Sequence, residues 1–225
     1  LKCTSCHLYT SKNKIVSNLI NEDYYSPFNI AVSNDGKRLF VVAQDTGELL
    51  IVDAESKTVV QKVKVGVHPH SVILDKANAL AYVSNQWSDN ISVVDLATSK
   101  VLDTLITGNG PSGLALSADG AKLLVVDTYG SDLSVIDLDT KEEMKRLRTG
   151  SDPTGTALSP DGKKLYVTSR RSKIVPYGEP LVSDLTQIDA TTLRVDEHKD
   201  VEEAYMMENI TFTPSGDLAL MTLIR

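Results

Sequence analysis

Ser71-Val72-Ile73-Leu74, Ala81-Tyr82-Val83-Ser84-Asn85, Ile91-Ser92-Val93-Val94-Asp95 and Val101-Leu102-Asp103-Thr104-Leu105 are four short runs of β-branched and apolar residues separated by turn chemistry. The group repeats along the chain: Pro27, Pro69, Pro111 and Pro153 stand 42 residues apart, and Gly66, Gly108 and Gly150 keep the same step, as do Asp53, Asp95 and Asp137. Four strands per period of this length make one blade of a β-propeller. Gly36, Gly120, Gly162 and Gly216 fall where tight hairpins need positive φ. No segment sustains a helical apolar stripe with caps over three turns.

The fold class is therefore all-β, a propeller of four-stranded antiparallel blades. Residues 26–66, 67–108, 109–150 and 151–201 make four units, and 202–225 supply the first two strands of a fifth. Domain boundaries follow as an N-terminal segment, 1–25, and an incomplete propeller, 26–225. Closed rings protect their sheet edges with about six to eight blades, so further sequence or partner chains are expected to complete this one, to about seven blades. The chain begins at Leu1 and opens without a charged-then-apolar signal, which predicts a processed or truncated product.

Of the 225 residues, 41% are hydrophobic and 24% charged, with a net charge of −7. That balance disfavours nucleic acid as a partner, because phosphate binding needs a basic face and Arg170-Arg171 is too short to make one. No apolar run has the length of a membrane span.

The only two cysteines stand together in Cys3-Thr4-Ser5-Cys6-His7. C-x-x-C-H is the attachment pattern of a c-type haem: two thiols at this spacing add to the two vinyl groups, and the adjacent imidazole ligates the iron. A zinc site would need ligands from a second Cys pair, which is absent, and a thioredoxin-like pair would need a βαβ setting. A structural disulfide remains the competing reading. The haem reading predicts one covalent haem c held by Cys3, Cys6 and His7, and an exported protein, periplasmic or extracellular.

Within a four-stranded blade, the loop between strands two and three lies on the same side as the link to the next blade. The N-terminal segment enters strand one from this side, so the haem is expected over the linker face, near the central channel. After the repeated proline the units place Phe28, His70, Ser112 and Thr154, so His70 departs from the pattern at a channel-facing position, with His68 two residues before it. Either imidazole is a candidate metal ligand; Met206 and Met207, at the corresponding place in the fifth unit, offer thioethers instead. The fourth unit carries ten extra residues after Ser169, a loop in which Arg170, Arg171 and Lys173 are candidates to pair with haem propionates or an acidic partner, and Tyr177 to stack. Trp87 and Tyr129 occupy matching loop positions on the same face. The recurrence of Asp53, Asp95, Asp137 and Asp189 reads as turn formation, since one catalytic acid is not needed four times. Neither a Gly-x-Ser-x-Gly elbow nor a phosphate-binding glycine loop is present.

Tyr82-Val83-Ser84-Asn85 and Tyr166-Val167-Thr168-Ser169, followed by Ile91-Ser92-Val93-Val94-Asp95 and Leu133-Ser134-Val135-Ile136-Asp137, resemble the YVTN-type propeller repeats of exported prokaryotic proteins, over residues 26–225. With the N-terminal C-x-x-C-H, the chain looks like the subset bearing c-type haem, some members of which continue into a cytochrome c peroxidase-like domain. That resemblance implies electron transfer to or from a redox partner protein or an appended cytochrome domain. A non-redox binding scaffold, or an enzyme using His70 at the channel mouth, stands as the alternative.

Overall fold

A computed structural model describes residues 25–172, 182–201, 204, 206–213 and 215–223. The Cys3-Thr4-Ser5-Cys6-His7 motif, Lys173 and Tyr177 lie outside the described residues. Among the described residues, eighteen strands form four sheets of four strands and one of two, each a meander in sequence order. The first blade holds β1 (Pro27–Val32), β2 (Arg38–Ala43), β3 (Glu48–Asp53) and β4 (Thr58–Lys64). The second holds β5 (Pro69–Leu74), β6 (Leu80–Asn85), β7 (Asn90–Asp95) and β8 (Lys100–Ile106). The third holds β9 (Pro111–Leu116), β10 (Lys122–Asp127), β11 (Asp132–Asp137) and β12 (Glu143–Arg148). The fourth holds β13 (Ser151–Leu158), β14 (Lys164–Arg171), β15 (Ser183–Asp189) and β16 (Arg194–Val201). β17 (Met207–Phe212) and β18 (Ala219–Leu223) begin a fifth. The architecture is that of a β-propeller, as the repeat predicts.

The core lies between blades. Phe40, Val42 and Leu49 of the first pack with Val72, Ala81 and Val83 of the second. Tyr82 and Ile91 meet Leu123 and Val125 of the third, and Leu124 and Leu133 meet Leu165 and Ile188 of the fourth. Each such buried side chain contributes about 1.5–3 kcal/mol, so adjacent blades are held by several residues of this kind. Strands one of successive blades run side by side along the inner wall. At the two ends of the stack the apolar faces are open: Phe28, Ile30 and Val32 of β1, and Leu220 and Leu223 of β18, are about half exposed.

The turns behave as their sequences require. Gly36, Gly120, Gly162 and Gly216 have φ of 69–80°, and Asn78 (φ 53°) takes the same place in the second blade, because asparagine tolerates the left-handed region. Asp53, Asp95, Asp137 and Asp189 each accept backbone N–H groups of the following turn through Oδ1, at 2.7–3.0 Å. Their role is turn formation.

Two features go beyond the sequence reading. Strand one of every blade has a register shift across the residue after the proline position, so Phe28, His70, Ser112, Thr154 and Glu208 are all bulged. Such bulges re-aim side chains. The fourth blade also departs from the expected loop. Ser151 pairs with Arg171, and Ser172 N–H donates to Val182 O at 2.7 Å, so β14 runs on through both arginines. Arg170 and Arg171 are strand residues, because their backbone groups have partners there.

Candidate functional site

The linker face is built by a contact between two loops of each blade. Gln86 and Trp87 N–H donate to His68 and Val67 O; Thr128 and Tyr129 N–H donate to Gly110 and Asn109 O; Gln44 N–H donates to Ser26 O. These bonds place the loop between strands two and three against the strand-one entry of its own blade. They also fix an unusual backbone. The residue before each proline position is left-handed in all five blades: Ser26 (φ 44°), His68 (54°), Gly110 (70°), Asp152 (51°) and Met206 (51°). Only Gly110 adopts this conformation without steric cost.

In four blades that residue meets the loop residue 19 positions later. Ser26 Oγ donates to Asp45 Oδ2 at 2.5 Å. His68 stacks on Trp87, with ring centroids 4.1 Å apart and 9° between planes. Gly110 lies under the Tyr129 ring, where an added Cβ would come within 2.9 Å of Cε2. Asp152 pairs with Arg171 at 2.5 Å. Trp87 and Tyr129 remain 63% and 57% exposed, so the ring of pairs presents two aromatic surfaces on adjacent blades.

Inside this ring four of the bulged residues, Phe28, His70, Thr154 and Glu208, line a cleft of about 460 Å³ that runs along strands one. Ser112 and Thr154 are buried, and their hydroxyls donate to the backbone of the next blade. The larger side chains stay in the cleft. His70 lies against Phe28 (centroids 4.6 Å apart, tilted 54°), with Nδ1 3.4 Å from Ser71 Oγ. Burial lowers its imidazole to about 4, helped by the nearby charges of His68 and Arg170, so at neutral pH it is uncharged. Arg170 makes a two-pronged bridge to Glu208, Nε to Oε1 at 2.7 Å and Nη2 to Oε2 at 3.0 Å. That bond is the main reason its guanidinium is held above its usual range.

The structure thus brings His68, His70 and Arg170 to one face and ties Arg170 and Arg171 to carboxylates of the chain itself. The insertion hid these partners: Glu208 lies 38 residues from Arg170. Met206 is 44% exposed on the same face, while Met207 is fully buried, with its N–H receiving no solvent and donating to Ser183 Oγ at 3.2 Å. Among the described residues, no three His, Cys, Asp or Glu side chains group as a metal site. No helix among them is long and apolar enough to cross a membrane.

Residues 77–161 match the family model of the YNCE-like beta-propeller. Among solved structures, hydrazine synthase of Kuenenia stuttgartiensis is similar to the chain, with a TM-score of 0.82 and 27% identity over 96% of this chain and 59% of that one. The chain therefore spans about three-fifths of the length of this relative. Matching solved chains number 1352, so the likeness speaks for architecture more than for one activity. No curated protein sequence matches.

Proposed function

We propose that the chain is an exported c-type haem propeller that passes electrons to or from a partner protein or an appended redox domain, with further blades, from the same chain or another, closing the ring. The observation that carries this reading is the placing of both cysteines in Cys3-Thr4-Ser5-Cys6-His7. The described residues fit such a group in one respect. They supply imidazoles near the point where the N-terminal segment joins β1: His68, stacked on Trp87, and the uncharged His70. The haem, when bound, supplies reversible one-electron chemistry at iron.

The chain's own residues have separable tasks. Cys3 and Cys6 tether the group and His7 ligates it from one side. Trp87 and Tyr129 offer flat, exposed surfaces for a haem edge or a docking partner. Arg170 and Arg171 are neutralised by Glu208 and Asp152, so any propionate they accept must compete with an existing carboxylate. The likeness to a hydrazine synthase supports an assignment in which this propeller serves an enzyme.

Intact mass and a reduced pyridine haemochrome spectrum test the reading on protein exported by a host with c-type maturation. A c-type band and an added mass of about 616 Da are expected, both lost in Cys3→Ser/Cys6→Ser. An unmodified mass, or one lighter by two hydrogens, would overturn it in favour of a disulfide-bearing scaffold. A second reading, an enzyme at the channel mouth, is favoured by His70 and Glu208 lining one cleft, with the Arg170 charge close to His70. It predicts activity lost in His70→Ala with the haem spectrum intact.

A further inference from the structure

We propose that Trp87 and Tyr129 form a carbohydrate-binding row on the linker face, where pyranose rings of a neutral oligosaccharide stack on the two aromatic side chains. The inference goes beyond the haem reading and does not rest on it. Asp45, Trp87, Tyr129 and Arg171 hold one repeat position, 42 residues apart, in four adjacent blades. The row therefore runs from a carboxylate, across two aromatic rings, to a guanidinium.

Both rings are fixed before any ligand arrives. Trp87 N–H donates to Val67 O at 3.2 Å, and Tyr129 N–H to Asn109 O at 3.1 Å. One face of the indole lies parallel to the His68 ring, and one face of the Tyr129 ring lies on Gly110, where any side chain would collide with it. With 63% and 57% of the two residues exposed, the opposite faces are open. Flat apolar faces that are already oriented lose little side-chain freedom on binding, and the C–H-bearing face of a pyranose is their complement. Packed sheets lie about 10 Å apart, so rings at equivalent points of adjacent blades are spaced on the scale of a disaccharide.

The polar groups around the rings select the chemistry of the ligand. Asp89 is exposed and accepts the Gly110 N–H through Oδ1 at 2.8 Å, beneath Tyr129, which leaves Oδ2 to accept a hydroxyl. Burial lowers the His68 imidazole while the Asp45 charge opposes that shift, so a carboxylate of the preceding blade also stands close to the Trp87 stack. Beyond Tyr129, the Arg170 guanidinium is held above its usual range by Glu208 first, and by Asp152 and the Tyr129 phenol as well. Sugar hydroxyls both donate and accept, and so can use donors and acceptors of this kind together. An anionic chain such as single-stranded nucleic acid cannot, because the row presents Asp45 and Asp89, and both arginines are already neutralised by Glu208 and Asp152.

Isothermal titration of the full chain with cellohexaose, chitohexaose and maltohexaose tests the assignment, together with the ultraviolet difference spectrum of Trp87, the only tryptophan. At least one of these sugars is expected to bind with a Kd below about 1 mM and to red-shift the indole band. Trp87→Ala abolishes that binding, and Tyr129→Ala weakens it about tenfold, the size of one lost ring contact. Leu102→Ala, which removes an equally exposed apolar side chain from an outer strand, leaves it unchanged. All three variants change exposed positions and are expected to keep the melting temperature. Absence of both heat and spectral change with all three sugars at about 10 mM overturns the proposal. So does binding that survives Trp87→Ala, or tighter binding of a single-stranded oligothymidylate than of any sugar.

Discussion

Asp127→Asn is expected to stabilise the protein at pH 8 by on the order of 3 kcal/mol and to change little at pH 4. Asp127 ends β10 and is fully buried. It accepts Thr107 Oγ1 at 3.0 Å and Ser134 Oγ at 2.6 Å. Those bonds favour the carboxylate, but burial outweighs them and, with the Asp132 charge nearby, pushes the carboxyl up to about 7 from 3.8. The folded state therefore holds a proton that the unfolded chain has already lost between pH 4 and 7. Stability falls as pH rises through that window, and the full penalty is present above it. Asparagine has no such titration. Its amide nitrogen would face Ser134 Oγ, whose proton can turn to Glu143 Oε2, 3.3 Å away. The second blade already uses this arrangement: Asn85, 42 residues earlier, accepts the Gly66 N–H at 3.0 Å and donates to Ser92 Oγ at 2.9 Å. Urea midpoints at pH 4, 6 and 8 decide the matter. Parallel pH profiles for the two proteins would show that Asp127 is ionised throughout.

Gly155→Ala is expected to cost about 3 kcal/mol, a fall in melting temperature of roughly 6–12 °C. The methyl would lie 2.8 Å from Asn209 Cα and from Glu208 O, both backbone atoms of the next blade's inner strand, and equally close to Thr168 Oγ1. Backbone cannot rotate away, so the blades must part. Gly113 makes the same close approach to Thr154 O, at 2.8 Å. Gly36 is the control: nothing stands within 4 Å of its added methyl, and only its φ of 69° opposes alanine, worth about 1 kcal/mol. Calorimetry on both variants separates the causes. Equal losses would mean that close approach between blades is not what fixes Gly155.

The blade order was legible because a 42-residue period survives in the prolines, the linker glycines and the hairpin turns. Asn78 shows where that signal thins: it replaces glycine at one hairpin, and only its tolerance of positive φ keeps the turn. The pairing of linker and loop was harder to read. Ser26 with Asp45, His68 with Trp87 and Asp152 with Arg171 share an offset of 19 but no common chemistry, so no residue type marks the position. Arg170 and Arg171 read as loop residues because the ten-residue insertion follows Ser169, whereas unbroken pairing with β13 carries the strand past them. Asp127 had one available signal, an acid where the preceding repeat has a neutral amide.

The hydroxyls that cross from blade to blade all point one way. Ser84 donates to Ser112 O, Ser112 to Thr154 O, Thr128 to Pro153 O and Thr154 to Met207 O, each from an earlier blade to a later one. The stack therefore has a head and a tail. Its two ends are chemically unlike, one offering carbonyls and the other donors, so a two-fold axis cannot bring like ends together with these bonds intact. Any blade that extends the array must add in the same sense, as in a ring or a helical filament built by rotation, and never as a mirror-like pair.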